Sequence, residues 1–242
     1  MNPTSGVIGE AWNLDKAHWR HLLSISFVVY LAVALIGVLL VAILTWVGAI
    51  LAALISLVAI FWLQATLVKA VEDIRDGRVD LSVSDTFEAA RAHLAAVLVA
   101  GLIATIAIGI GFILLIIPGL VLLTFWCLIV PSIVIEGKSA GESFGRSIDL
   151  VRGHFWRVLG IIILTVLIYF GFQIVLSLIL SPLADWLKSF VSTIVSGTLT
   201  APFFALVLTV LYFRLSAAAA ATPVEEPPAE AAPEEPPSAT PA

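Results

Sequence analysis

The sequence has little charge and almost no cysteine. Of its 242 residues only 12% are Asp, Glu, Lys or Arg, about half the share of an ordinary soluble domain. The single cysteine, Cys127, excludes an internal disulfide and any zinc site built from cysteines. In contrast, 61% of the residues are hydrophobic and the mean hydropathy is +1.12. These values exclude a coiled coil and nearly all soluble folds, and they predict an all-α polytopic membrane protein.

The net charge of −5 comes from the C-terminal tail. Residues 217–242 contain five Glu and no Lys or Arg, so the rest of the chain is formally neutral. A neutral body offers no basic surface for nucleic acid, and no nucleic-acid partner is expected. The tail is rich in Pro, Ala and Glu and lacks aromatic residues, and we expect it to be disordered.

Signals of chemistry are also missing. The sequence contains no HExxH, Walker loop, nucleotide-binding glycine fingerprint or Gly-x-Ser-x-Gly elbow. Its histidines lie at predicted membrane boundaries without a paired carboxylate, namely His18, His21, His93 and His154. We therefore expect no catalytic residue, no cofactor, no metal and no enzymatic activity.

Six apolar runs are long enough to cross a bilayer, which takes about 20 helical residues. The predicted spans are 22–44, 49–71, 93–117, 119–135, 158–183 and 190–215. The first turn is placed at 45–48, because Trp favours the membrane interface and Gly breaks helices. Pro118 and Gly119 are predicted to break the chain between the third and fourth spans. The short fourth span is interpreted as a full crossing, with a re-entrant segment as the alternative.

The basic residues give the orientation. Of twelve Lys and Arg residues, only Lys188 falls on one side of these six spans. Because cytoplasmic loops carry the excess of Lys and Arg, both termini and both long loops are predicted to be cytoplasmic. The expected organisation is an N-terminal interfacial segment 1–21, a six-helix membrane domain 22–216 and the cytoplasmic tail 217–242.

Three cytoplasmic segments share one plan. The stretches 17–27, 91–101 and 152–162 each carry a His where a polar helix runs into an apolar one: His18, His93 and His154. This pattern predicts a threefold helix-hairpin repeat, with interfacial amphipathic helices at 9–21, 84–94 and 139–155. These helices either contact lipid head groups or only pack beneath the bundle. The candidate head-group contacts are Arg20, Arg91, Arg146, Arg152 and Arg157.

Small and polar residues within the spans indicate helix contacts. Small residues recur every four positions and predict close helix packing, at Gly48, Ala52, Ser56, Gly101, Thr105 and Gly109. Gln64 and Gln173 are the polar intramembrane candidates, either for interhelical hydrogen bonds or for a polar path. Lys69 and Asp73 are predicted to pair at i,i+4, and Ser82 is predicted to cap a helix by accepting the amide of Asp85.

One stretch carries a family resemblance. Residues 117–164 combine Pro118-Gly119, Pro131, Glu136-Gly137 and a Leu-Val-Arg-Gly helix end followed by Trp156. This pattern resembles the membrane domain of bacterial glycerophosphoryl diester phosphodiesterases. The resemblance implies a six-span protein of the bacterial inner membrane. In two-domain members a separate soluble barrel performs the hydrolysis, and we expect no such barrel in this chain.

The resulting functional hypothesis is a non-enzymatic integral membrane protein that acts as a scaffold or as a lipid-interacting, regulatory module. Its expected partners are membrane lipids, with an envelope-lipid enzyme or self-association as further options. The alternative is a transporter or flippase for a small molecule or lipid. An intramembrane lipid enzyme is less favoured, because carboxylates and histidines are missing at depth.

Overall fold

A computed structural model describes residues 3–75 and 80–221. Within these ranges the chain forms eight helices and no strand, which confirms the all-α prediction. The helices are α1 (Val7–Ile74), α2 (Val83–Arg91), α3 (Leu94–Leu114), α4 (Ile116–Phe125), α5 (Ile129–Glu136), α6 (Ala140–Arg152), α7 (Phe155–Ile179) and α8 (Asp185–Ala221).

Helix α1 is folded back on itself. Its 68 residues would extend roughly 100 Å if straight, but the backbone leaves helical geometry at His18 and again at Thr45, where φ is 51°. A positive φ is rare for a β-branched residue and marks a sharp turn. The two arms are antiparallel, because Gly48 abuts the backbone of Leu40 and Gly37 faces Ala52. The predicted turn at 45–48 is confirmed.

The break between α3 and α4 lies at Leu115, not at Pro118 and Gly119 as predicted. Leu115 is extended, with φ −161° and ψ 147°. Pro118 stands in the first turn of α4, where a backbone N–H has no helical acceptor and its loss costs nothing. Gly119 instead permits the close approach of α3, since its Cα face touches Phe112 and Gly111.

Other predicted boundaries shift as well. The fourth span, 119–135, comprises two helices, α4 and α5, with an interruption at 126–128. Helix α7 begins three residues earlier than span 158–183, and α8 extends beyond 190–215 in both directions. Residues 217–221 were predicted to belong to the disordered tail but continue α8, because Ala has the highest helix propensity. The rest of the tail, 222–242, lies outside the described residues.

The packed core lies at one end of the molecule. Its largest cluster joins the start of α1, the end of α1, α6 and the C-terminal half of α8, with Ala11, Leu22, Leu67, Val151 and Leu211 all nearly inaccessible. The opposite end exposes aliphatic side chains such as Ile113, which is 84% exposed. Among the described residues, five helical stretches are long and apolar enough to cross a membrane: Val7–Ile74, Leu94–Leu114, Ile116–Glu136, Phe155–Ile179 and Trp186–Ala221. The fold is compatible with a membrane protein.

The small residues differ in what they contact. A Cβ at Gly101 would collide with the ring of Phe61 from the second arm of α1, so this glycine permits close packing. No heavy atom lies within 4 Å of the corresponding position at Gly109, and Thr105 is exposed. The hydroxyl of Ser56 donates to the carbonyl of Ala52 in its own helix. The sequence did not single out Gly197, whose Cα face lies against the ring of Tyr30 and joins α8 to α1.

Candidate functional site

Three similar joints, at His18, His93 and His154, connect a polar helical segment to the apolar helix that follows it. Each joint places a histidine at a kink or at the residue before a helix: His18 has φ −120° and ψ 21°, His93 has φ −97° and ψ −5°, and His154 has φ −133° and ψ 17°. The amides of His93 and His154 both donate to the carbonyl three residues earlier, at 3.1 and 2.8 Å. The histidines predicted at the boundaries therefore mark the bend at which each polar segment meets its apolar helix.

The packing around the three joints is also alike. The position seven residues before each histidine is fully buried, at Ala11, Thr86 and Ser147. The position four residues after each histidine is fully buried too, at Leu22, Val97 and Val158. One face of every polar segment is thus packed against the bundle, and its other face carries the charged residues.

Helix α6 begins with a complete capping box. The Ser139 side chain accepts the amide of Glu142, and the Glu142 carboxylate accepts the amide of Ser139 at 3.0 Å. The side-chain and backbone bonds from Ser139 hold the pKa of Glu142 below its usual value. The sequence reading missed this box, although Ser139 and Glu142 have the Ser-x-x-Glu spacing that signals one. The predicted cap of α2 is confirmed, since Ser82 accepts the amide of Asp85 at 3.3 Å.

An ion pair ties α6 to α5. The Nε of Arg146 donates to Glu136 Oε1 at 2.9 Å, and its Nη2 donates to the same oxygen at 2.7 Å. The bond to Glu136 raises the pKa of Arg146, which stays charged. Arg146 was predicted to contact lipid head groups; its guanidinium binds a protein carboxylate, and the head-group contact stays a prediction.

Ser147 bridges the interruption between α4 and α5. Its hydroxyl donates to the carbonyl of Phe125 at 2.6 Å and accepts the amide of Leu128 at 3.2 Å. Both backbone groups lie at the break at 126–128, where the regular backbone hydrogen bonds of the helix are interrupted. Because Ser147 is fully buried, α6 supplies the hydrogen bonds that water provides at an exposed helix end.

The charges after the second arm of α1 pair differently from the prediction. Lys69 binds Glu72 at 2.8 Å, not Asp73. The Asp73 carboxylate accepts the amides of Asp80 and Leu81, both at 3.1 Å. Asp73 therefore binds the segment that leads into α2, and Lys69 pairs with Glu72 instead.

The other candidate head-group residues lie at the joints. Arg20 sits over Trp19, with its guanidinium carbon 5.5 Å from the ring centre. Arg91 lies 3.6 Å from Glu88, with both side chains largely exposed. Arg152 and Arg157 are exposed on either side of the α6–α7 joint. Every joint therefore presents a basic residue at the molecular surface.

Exposed tryptophans occur at both ends of the apolar helices. Trp12, Trp19 and Trp156 lie near the joints, and Trp46 and Trp186 lie at the opposite turns. Trp19 and Trp46 are separated by roughly 40 Å of helix, which matches a bilayer with its head-group regions. Tryptophan side chains concentrate at membrane–water interfaces.

The two glutamines are not joined. Gln173 Nε2 donates to the Tyr169 hydroxyl at 3.1 Å, one turn earlier in α7. Gln64 is partly buried in α1, and among the described residues no hydrogen bond connects it to Gln173. The hydrogen bonds of the described residues thus connect neither glutamine to the other.

A crevice of about 590 Å³ opens between the start of α1, the middle of α7 and α8. Its lining includes Trp12, Asp15, Tyr169, Phe172, Leu199 and Phe203. Trp12 packs edge-on against Phe203 with ring centres 6.2 Å apart. Its one carboxylate, Asp15, has Oδ1 enclosed and without a hydrogen bond from any described residue. The sequence placed Asp15 in an interfacial segment, and only the fold brings it to this crevice.

The residues suited to a metal do not come together. In the described ranges no group of three His, Cys, Asp or Glu side chains converges. Cys127 is partly buried against the main core.

Comparison with known proteins gives a family. The profile of a domain of unknown function, DUF7847, matches residues 19–224, most of the chain. The chain belongs to the DUF7847 family. No curated protein and no solved structure matches it.

The DUF7847 match begins immediately after His18 and ends just beyond α8. It therefore includes the second and third joints, the contacts of Arg146 and Ser147 in α6, and the α7 and α8 walls of the crevice. The α1 wall of the crevice, with Trp12 and Asp15, precedes the matched region.

Proposed function

We propose that this DUF7847 protein is a non-enzymatic integral membrane protein that contacts lipid head groups through its three joints. In this proposal the chain crosses the bacterial cytoplasmic membrane six times, with the joints and both termini on the cytoplasmic side. The turn at Thr45, the break at Leu115 and the 180–184 segment each join the two arms of one of three helical hairpins. The distribution of Lys and Arg along the chain supports this orientation.

The three hairpins are proposed to be repeats of one unit. The placement of His18, His93 and His154 at a kink or just before a helix supports this view. So do the buried positions at fixed distances before and after each histidine. A unit of this kind cannot bury its apolar face alone, and neighbouring units stack to complete the core.

The kinship with phosphodiesterase membrane domains is proposed on the same residues that suggested it. Those residues form α4, α5, α6 and the start of α7, where Arg146 and Ser147 hold α6 in place. We propose a supporting role next to lipid metabolism for this domain, without hydrolytic chemistry of its own.

The main support for the proposal is that basic and tryptophan side chains lie side by side on the surface of the joints. Arg20 lies beside the half-exposed Trp19, and Arg152 lies four residues before Trp156, which is 80% exposed. A basic side chain next to an interfacial tryptophan suits an anionic head group, and each such residue adds about 1 kcal/mol of attraction to an anionic surface.

The test is lipid retention by the full chain. The protein would be extracted from membranes that contain phosphatidylglycerol, and bound lipids would be counted by native mass spectrometry. The double variant Arg20→Gln/Arg152→Gln should lose phosphatidylglycerol, whereas Lys188→Gln, at the opposite end, should retain it. Equal retention by the wild type and the double variant would contradict head-group contact at the joints.

A further inference from the structure

The crevice beside Asp15 has the features of a lipid site. Thr165 and Phe172 mark its extent along α7, about 15 to 25 Å from the start of that helix. Aromatic and aliphatic side chains form most of its wall, and few polar groups reach it. Its volume lies within the range of small-molecule sites, about 300–1,000 Å³. Because the outer face of α7 exposes Leu167 and Ile174, the surroundings of the crevice suit a hydrocarbon chain better than water.

The polar end of the crevice is formed by Asp15. Its carboxylate is the one in the lining, and its Oδ1 is enclosed by protein and receives no hydrogen bond from the described residues. Lys16 follows Asp15 outside the lining, with its Nζ 4.9 Å from the centre of the Trp12 ring. Since a carboxylate in an apolar wall attracts a cation, a ligand that brings charged N–H groups would bind there.

We propose that this crevice binds one aminophospholipid, with an acyl chain against Trp12, Phe172 and Phe203 and the head-group ammonium on Asp15. The phosphate of such a lipid lies next to its amine and would face Lys16. Phosphatidylethanolamine has both charges and three N–H donors. Phosphatidylcholine has the same charges but no N–H, and phosphatidylglycerol has no positive charge.

This inference rests on the proposed lipid-contacting function and adds a specific ligand class to it. The two can fail separately, because the joints act through Arg20 and Arg152 on anionic lipids and the crevice acts through Asp15 on an amine. Equal phosphatidylglycerol retention by the wild type and the Arg20→Gln/Arg152→Gln variant would overturn only the former.

The chain offers a matched pair of glycines for the test. A side chain at Gly9, which lines the crevice, enters open space, as does one at Gly160, which is not part of the lining. Leucine favours helix more than glycine does. Gly9→Leu therefore obstructs the crevice without weakening its helix, and Gly160→Leu controls for an added side chain elsewhere.

The experiment is native mass spectrometry of the full chain in detergent, titrated with the three lipids carrying identical acyl chains. Phosphatidylethanolamine should bind about tenfold more tightly than phosphatidylcholine, since one charge-assisted hydrogen bond is worth that factor. Asp15→Asn should remove this preference, because it weakens phosphatidylethanolamine more than phosphatidylcholine. Gly9→Leu should weaken both lipids, and Gly160→Leu neither.

Three outcomes would overturn the proposal. Equal binding of phosphatidylethanolamine and phosphatidylcholine to the wild type would exclude recognition of the amine. An unchanged preference in Asp15→Asn would exclude Asp15 as its acceptor. Tight binding that persists in Gly9→Leu would place the lipid outside the crevice. Circular dichroism of each variant identifies any that has lost its helices.

Discussion

The hydroxyl of Ser147 in α6 accepts the amide of Leu128 across the break between α4 and α5. The same hydroxyl donates to the carbonyl of Phe125. Two backbone groups that the helix break would leave unpaired in a buried position thus depend on one side chain from another helix. A residue of the amphipathic α6 is therefore part of the internal bonding of the apolar bundle.

We expect Ser147→Ala to destabilise the protein by about 1–3 kcal/mol, because it leaves buried backbone groups unsatisfied. Ser143→Ala is the matched control. Ser143 is also fully buried in α6, but its hydroxyl donates only to Ala140 in the same helix. Thermal unfolding in detergent should show a lower Tm for Ser147→Ala than for Ser143→Ala. Equal shifts would contradict the bridging role.

The ion pair between Glu136 and Arg146 should make a measurable contribution to stability. Both side chains are less than one-third exposed. Arg146 Nε also donates to Glu136 Oε2 at 3.1 Å, which gives the forked geometry that strengthens such pairs. A double-mutant cycle with Glu136→Gln and Arg146→Gln should give a coupling energy of about 1–2 kcal/mol.

The second ion pair of the same type serves as its control. Glu88 and Arg91 lie 3.6 Å apart with side chains about 70% exposed. The corresponding cycle should give a coupling near zero, since exposed pairs are screened and mobile. A coupling at Glu88–Arg91 as large as that at Glu136–Arg146 would show that burial does not set the difference.

The sequence predicted much of the secondary structure because the relevant signals are local. The turn at Thr45, the cap at Ser82 and the placement of the histidines at helix boundaries depend on residues within one or two turns of each other. The capping box at Ser139 was equally readable and was overlooked. Pro118 shows the limit of a local rule, since the same residue can end a helix or occupy its first turn.

The candidate sites could not be predicted in this way because they depend on distant segments. Ser147 forms hydrogen bonds with backbone groups about 20 residues earlier in the chain. Arg146 binds Glu136, and not Glu142, which is nearer in sequence, because α5 ends beside Arg146. Asp15 reaches the crevice through packing of the start of α1 against α7 and α8, some 150 residues later. The sequence gives the functional group of a polar residue, but it does not show which distant groups will surround that residue in the fold.

The capping box of α6 should weaken in acid. The bonds from Ser139 lower the pKa of Glu142 relative to its ordinary value of 4.5. A lowered folded-state pKa means that this contribution is fully present above the unfolded pKa and is lost as the pH falls through the folded value. Hydrogen exchange at the α6 amides should therefore show reduced protection below about pH 4.5.

Glu142→Gln provides the comparison for this pH dependence. Glutamine can still accept the Ser139 amide but does not titrate. The variant should show a smaller loss of protection in acid than the wild type, after correction for intrinsic exchange. Identical pH profiles for the two proteins would exclude Glu142 as the titrating group.

Gly101 and Gly109 should respond oppositely to alanine. A Cβ at Gly101 would meet the Phe61 ring, so Gly101→Ala should destabilise the α1–α3 contact by about 1–3 kcal/mol through overpacking. Gly109 has open space, and Gly109→Ala should be neutral or stabilising by up to about 1 kcal/mol. Adding Phe61→Leu to Gly101→Ala should recover part of the loss. Thermal unfolding of the four proteins tests this, and a loss at Gly109 equal to that at Gly101 would contradict it.

The proposed orientation can be tested with single cysteines in a Cys127→Ser background. Ala184 lies in the turn before α8, and Ser84 lies near the start of α2; both are exposed. An impermeant maleimide added to intact cells should label Ala184→Cys and leave Ser84→Cys unmodified, because the proposal puts α2 on the cytoplasmic side. Ser84→Cys should react once the membrane is permeabilised, which shows that the thiol is accessible. Labelling of Ser84→Cys in intact cells would reverse the orientation and move the basic residues of the joints to the outer face.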